Sequence, residues 1–230
     1  MNTIIVEMKR MSSNFKHELF SQFARIGKAL SHANRLELLE FIAQGERSVD
    51  ELAKVSGLTV ANTSQHLQHL RQAGLVVSHK QGLKVYYRLS GDDVITLLDT
   101  VRQVAERHLA DVEKLLNSVL SVKDNLEPLP REELLARAKQ GLVTIIDVRP
   151  EQEFQAGHVP GAVNMPLEQL DEQLGQFDKS QEFVAYCRGP HCILAYDAVQ
   201  KLRDKGLNAR RLQDGFPEWK LAGLPIEKHA

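Results

Sequence analysis

Residues 48–90 read SVDELAKVSGLTVANTSQHLQHLRQAGLVVSHKQGLKVYYRLS, and the punctuation of this stretch sets the architecture around it. Ser48 is an N-cap with Glu51 three residues on, the pattern of a capping box. A short helix is expected over 49–55, stopped at Ser56-Gly57. Thr59 caps a second helix that runs to Ala73 and stops at Gly74. Two short helices joined by a glycine-containing turn make a helix-turn-helix. In the second helix Thr63, Leu67 and Leu70 recur at i, i+4, i+7 and face inward. Its other face carries Thr59, Ala61, Asn62, Ser64, Gln65, Gln68 and His69, small or amide side chains able to approach and bond base edges. Two strands, 75–79 and 83–89, then flank Lys80-Gln81-Gly82. They predict a β-hairpin with a basic tip, the wing of a winged helix, with Lys80 and Lys84 placed for DNA contacts.

Upstream, Leu19, Phe20, Phe23, Ile26 and Leu30 repeat at helical spacing, as do Leu36, Leu38, Leu39 and Ile42, with Gly45 ending the second of these helices. Downstream, one long helix is expected from Asp92 to about Val119. Its apolar positions, from Val94, Leu97 and Leu98 to Leu115, Leu116 and Val119, are broad for a lone surface helix and predict pairing with a second copy. The whole chain has a net charge of −1, with 29 Lys/Arg against 30 Asp/Glu. Yet no acidic residue occurs between Glu51 and Asp92, a stretch holding Lys54, Arg71, Lys80, Lys84 and Arg88. A surface facing phosphate accounts for that gap.

These segments, with LSHANRLELLEFI before them, resemble the ArsR/SmtB family of winged-helix repressors over residues 24–118. The resemblance implies ligand-controlled repression by a homodimer on double-stranded DNA. A twofold dimer calls for a pseudo-palindromic operator with half-sites about 10 bp apart or a multiple of it. The chain departs from metal-sensing members: SVDELAK has no thiol, and Asp99, His108 and Glu113 lack ligand spacing. No metal effector and no cofactor are therefore expected.

The second half has a different period. Residues 121–130 are polar with two prolines and read as a linker. A helical pattern at 131–140 precedes Leu142-Val143-Thr144-Ile145-Ile146-Asp147-Val148, an apolar run suited to a buried parallel strand. Phe183-Val184-Ala185-Tyr186 is another such strand. It leads into Cys187-Arg188-Gly189-Pro190-His191-Cys192 and then a helix over 193–205. A cysteine in a loop between a strand and a helix N-terminus meets backbone N–H groups that favour anions. That setting makes a nucleophilic thiolate, supported by positive charge from Arg188 and His191. The only two cysteines of the chain both lie here. With only four residues between them, they cannot staple a fold and are expected to react.

Three segments, IIDVRPEQEFQAGHVPGAVNMP, AYCRGPHC and LQDGFPEWKLAGLP, resemble the rhodanese family over about 100 residues. The resemblance implies that Cys187 is the persulfide-forming nucleophile and that Asp147 and Arg149 organise its site. The six-residue loop matches sulfur-handling rhodaneses rather than the longer, Arg-ended loops of related phosphatases and arsenate reductases. Pro190 stands where the family commonly has Gly and removes a donor from the loop. Cys192 stands where a small polar residue is common. A second thiol there could resolve a Cys187 persulfide or sulfenate into a disulfide. His158 and Trp219 are expected to be structural.

The expected organisation is an extension over 1–17, a winged helix-turn-helix DNA-binding and dimerisation domain over 18–120, a linker over 121–130 and an α/β rhodanese-like domain with a mostly parallel sheet over 131–230. With no signal peptide and no apolar run of the ~20 residues a membrane span needs, a cytoplasmic protein is expected. Two functions fit. One is a repressor that senses sulfane sulfur or oxidants through Cys187, with Cys192 as resolving thiol and polysulfide or thiosulfate as donor. The other is a sulfurtransferase whose winged helix targets or autoregulates it. Arsenical sensing by the thiol pair is a third.

Overall fold

The computed structural model describes residues 2–120, 127–173 and 181–228, with side chains of the first helix described from Asn14 onward. The chain divides into two compact units, Met1–Ile42 with Arg47–Gly91, and Ala43–Glu46 with Asp92–Ala230. Among the described residues no helix is long and apolar enough to cross a membrane.

The first unit is a winged helix-turn-helix. Helices α1 (Asn2–Leu30) and α2 (Ala33–Ala43) precede the short strand β1 (Arg47–Ser48), then α3 (Val49–Ser56) and α4 (Val60–Gln72). The capping box forms as its residues dictate. The Ser48 side chain accepts from the Glu51 N–H at 3.3 Å, and the Glu51 carboxylate accepts from the Ser48 N–H at 2.8 Å. Gly57 closes α3 at φ 69°, a left-handed cap that costs glycine nothing. Thr59 caps α4 by accepting from the Asn62 N–H at 3.3 Å. Thr63, Leu67 and Leu70 are buried as their spacing requires, against a core that includes Leu38, Leu39 and Leu52.

Strands β2 (Val76–Gln81) and β3 (Lys84–Leu89) form the wing, and β1 adds to the far edge in the antiparallel order β1-β3-β2. The hairpin is tighter than its residues suggested. Gln81 pairs with Lys84, so Lys80 and Gln81 belong to the strand and the turn is Gly82-Leu83. Gly82 takes φ 61° at the first turn position, which suits the primed turns that match strand twist.

The second unit begins with a departure. The helix expected over 92–119 is two helices, α5 (Asp93–His108) and α6 (Ala110–Val119), broken at Leu109 in an extended conformation, φ −108° and ψ 101°. The charges favour this break. Arg107 and His108 sit at the negative C-terminal end of α5, and Asp111 and Glu113 at the positive N-terminal end of α6. Neither end carries the glycine or proline that would announce it. The linker expected at 121–130 lies, over 121–126, outside the described residues.

From α7 (Arg131–Lys139) onward the unit is an α/β fold. Strands β4 (Val143–Asp147), β5 (Val163–Asn164), β6 (Glu182–Tyr186) and β7 (Asn208–Arg211) make a parallel sheet in the order β5-β4-β6-β7. Helices α8 (Glu151–Ala156), α9 (Leu170–Gln173), α10 (Ile193–Asp204) and α11 (Phe216–Leu221) complete it. Strand alternation splits the core in two. Phe183, Ala185 and Cys187 pack with Ala195, Ala198, Val199 and Leu202 of α10. Val184 and Tyr186 pack with Leu134, Phe216 and Trp219. Parity along β6 thus hands Cys187 to the α10 side.

Candidate functional site

Cys187 follows the C-terminal end of the central strand β6, where open parallel sheets place their sites. It is 1% exposed. The chain then turns through Arg188 to His191, with the Cys192 N–H donating to the Gly189 carbonyl at 3.1 Å. Cys192 is the N-cap of α10. The turn brings the two cysteines back together: their Cα atoms are 6.0 Å apart and their sulfurs form a disulfide. That separation lies in the ordinary disulfide range of about 4.4–6.8 Å.

Four groups hold the loop. The Phe216 N–H donates to the Cys187 carbonyl at 3.0 Å. The Pro190 carbonyl accepts from the Tyr196 hydroxyl at 3.3 Å and from Arg211 Nη1 at 3.4 Å. Arg211 also lies over the Tyr196 ring, 4.1 Å from its centroid. Gly215 fits because it has no side chain: a Cβ there would meet the backbone of Arg188 and Gly189.

Asp147 and Arg149 stand at the end of β4, both 0% exposed, in a bidentate pair. Arg149 also donates to the Gly157 carbonyl at 2.8 Å and lies 4.3 Å from the Phe216 ring centroid. Burial opposes its charge. The Asp147 carboxylate outweighs that and holds the guanidinium above its ordinary value. The Tyr186 hydroxyl donates to Asp147 Oδ2 at 2.5 Å. Burial, then Asp147, push Tyr186 well above its ordinary value, so it keeps its proton. Asp147, Arg149 and Tyr186 lie in the body beneath the loop rather than in it. Phe216, against which Arg149 stacks, carries that support to the Cys187 carbonyl.

Arg188 and His191 of the loop have partners that the sequence did not announce. Arg188 makes a bidentate pair with the buried Glu153 of α8, at 2.6 to 3.0 Å. His191 Nε2 lies 2.6 Å from Glu106 of α5. The Arg188 charge is thereby spent on a carboxylate, and the two contacts tie the loop to α8 and α5. A cleft of about 500 Å³ opens beside Pro190 and His191, with Arg131, Asp214 and Glu218 on its walls. His158, 2% exposed, meets the Phe154 carbonyl through Nδ1 at 2.9 Å. Trp219 is fully buried. Sequence reasoning missed Glu153, Gly215, Arg211 and Glu106. Glu153 and Gly215 left a trace, since each lies inside a segment that resembles the rhodanese family.

In the first unit the outward face of α4 is Thr59, Ala61, Asn62, Gln65, Gln68 and His69, all exposed, with Ser64 half-buried. Lys80 and Lys84 are exposed on the wing, and Leu83 at its tip is wholly so. Among the described residues no cluster of three or more His, Cys, Asp or Glu could hold a metal ion.

Residues 32–78 match the bacterial regulatory protein, arsR family, and residues 130–222 match the rhodanese-like domain. The HTH-type transcriptional regulator Rv0324 of Mycobacterium tuberculosis is 44% identical over 218 residues, 95% of this chain and 96% of that protein. The chain is an ArsR-family transcriptional regulator with a C-terminal rhodanese-like domain. Shorter HTH-type transcriptional regulators match a smaller share of the chain. Rv0081 of the same organism is 36% identical over 94 residues, 40% of this chain and 82% of that protein. Among solved structures, the homodimeric winged helix-turn-helix DNA-binding domain of Mb0332 from Mycobacterium bovis is 42% identical. It covers 42% of the regulator and 89% of that chain, at a TM-score of 0.39.

Proposed function

We propose that the regulator is a homodimeric repressor that binds operator DNA through α4 and the wing, and that its rhodanese-like domain senses sulfane sulfur through Cys187 with Cys192 as the resolving thiol. The observation that carries this reading is the disulfide between the two cysteines of the active loop. A polysulfide transfers one sulfur to the Cys187 thiolate and leaves one sulfur shorter. The Cys192 thiolate then attacks Cys187 Sγ, the sulfane sulfur departs as hydrosulfide, and the disulfide closes. The sulfane sulfur is the oxidant and the two thiolates are oxidised. The His191 contact with Glu106 supports transmission, because α5 leads directly from the wing strand β3.

Dimerisation draws support from exposed apolar residues on α5 and α6, which occupy the stretch expected to pair, and on α1. Phe15, Phe20 and Phe23 of α1, Val104 of α5 and Leu115 of α6 are all more than half exposed. On DNA, Asn62, Gln65 and Gln68 read base edges, and Lys80 and Lys84 contact the backbone.

The test is operator binding by the reduced protein before and after polysulfide, with mass spectrometry of the 187–192 peptide. A shift in affinity of about 5–150-fold, the range of ordinary allosteric coupling, together with a disulfide mass and reversal by a thiol reductant, is the expected result. Unchanged binding despite a persulfide on Cys187 overturns the sensor and supports a sulfurtransferase, which the six-residue loop would also serve.

A further inference from the structure

In the first unit, the C-terminal ends of α1 and α4 enclose a pocket of about 360 Å³ that no role assigned above uses. Arg25, Lys28, Arg35 and His69 line it, and no carboxylate does. Arg25 Nη2 donates to the Gln72 carbonyl at 2.9 Å, and Nη1 to the Gln22 amide oxygen at 2.9 Å. Arg35 donates to the Ala29 carbonyl at 2.5 Å and the Lys28 carbonyl at 2.8 Å. These bonds cap two helix ends and hold both guanidiniums in place, but the two carbonyl ends carry only about half a negative charge each, against three full positive charges. The Lys28 ammonium caps nothing and has no ion pair among the described residues. Capping therefore explains the arginines and leaves a third permanent cation crowded against them.

His66 is held below its ordinary value, by burial first and then by the charges of His32, Arg35 and His69. Like charges gathered without a counter-ion repel, and the anion with three acceptor edges for such a set is a phosphate. His69 lines the pocket and also belongs to the exposed face of α4.

We propose that this pocket binds a phosphate-class oxyanion, supplied by the DNA backbone, with Lys28 as the principal charge and Arg25 and Arg35 beside it. The contact seats the C-terminal end of α4 against the duplex and carries no sequence information. The assignment of α4 to DNA is shared with the proposed function.

The experiment measures binding of the full-length protein to a mixed-sequence duplex by fluorescence anisotropy across about 50–300 mM salt, where each phosphate contact adds about 0.9 to the slope of log K against log salt. Lys28→Gln should lower that slope by about 1 and weaken binding several-fold, with an unchanged melting temperature because Lys28 is exposed. A second arm titrates inorganic phosphate into wild type and Lys28→Gln by calorimetry. A lowered slope with no saturable phosphate binding supports the backbone as the source. Saturable phosphate binding lost in Lys28→Gln with an unchanged slope overturns that source in favour of a free ion. If Lys28→Gln changes neither the slope nor phosphate binding, the pocket is overturned altogether. Gln65→Ala on a cognate operator separates the two readings: if Gln65 matters and Lys28 does not, the pocket fails and the DNA face of α4 stands.

Discussion

Replacing Gly215 by alanine should displace the cysteine loop without touching a cysteine. Gly215 sits at φ −100° and ψ −177°, extended backbone that any residue adopts, so strain is not the issue. Space is. A Cβ would lie 2.5 Å from the Arg188 carbonyl carbon and nearer still to the amide nitrogen and Cα of Gly189. All three are backbone atoms and cannot rotate aside. Restoring ordinary contact, 3.4 Å or more, moves the loop or the start of α11 by about 1 Å. Overpacking of this kind costs about 1–3 kcal/mol, and a 1 Å misplacement of reacting groups costs about 100-fold in rate. Trp219, the single tryptophan, is buried in the same unit and reports its unfolding by fluorescence. The assay is the urea midpoint at constant m-value, together with the rate of Cys187–Cys192 disulfide re-formation after reduction. Gly27→Ala, with open space around its Cβ and a helical position in α1, is the control and should stabilise by about 0.5–1 kcal/mol. If Gly215→Ala leaves both the midpoint and the closure rate at wild-type values, the close approach does not hold the loop.

Cys192→Ser should abolish the 187–192 disulfide while Cys187 still gains one sulfur from polysulfide, read by intact mass; heightened operator sensitivity in this variant would contradict the resolving role. Arg149→Met leaves the buried Asp147 carboxylate unpaired and should cost about 3–5 kcal/mol in the Trp219-monitored transition. A loss below 1 kcal/mol would show that the pair does not anchor β4. Thr59→Ala removes the N-cap of α4 and should destabilise the first unit by about 1 kcal/mol, followed by circular dichroism. His66 is held below its ordinary 6.5, so the unfolded chain takes up a proton before the native one does. Its contribution is complete above pH 6.5 and is lost as pH falls through the depressed native value. His66→Gln should flatten that acid-side loss, measured as urea midpoints from pH 7.5 down to about 5.

The winged helix was legible because its instructions are local. The Ser48–Glu51 box, the Thr59 cap, Gly57, Gly74 and the inward row Thr63, Leu67, Leu70 each act within one or two turns of chain. Periodicity states which face is buried, and α4 obeys it. The cysteine loop was legible for the same reason, since Cys187 and Cys192 are five residues apart. The break at Leu109 was not, because no glycine or proline marks it and only the opposed end charges accompany it.

What surrounds the loop was decided only in three dimensions. The sequence by itself determined that a strand, a thiol-bearing turn and a helix follow one another, and that the other half carries a recognition helix and wing. It did not determine that Arg188 would meet Glu153, 35 residues earlier, or that Gly215 would press on Gly189 from 26 residues later. Nor did it show that Phe216 would link the buried Arg149 to the Cys187 carbonyl. Spacing within a segment specifies its own period and buried face. Contacts across tens of residues depend on the order and register in which segments pack, and parallel β4, β6 and β7 set that register here.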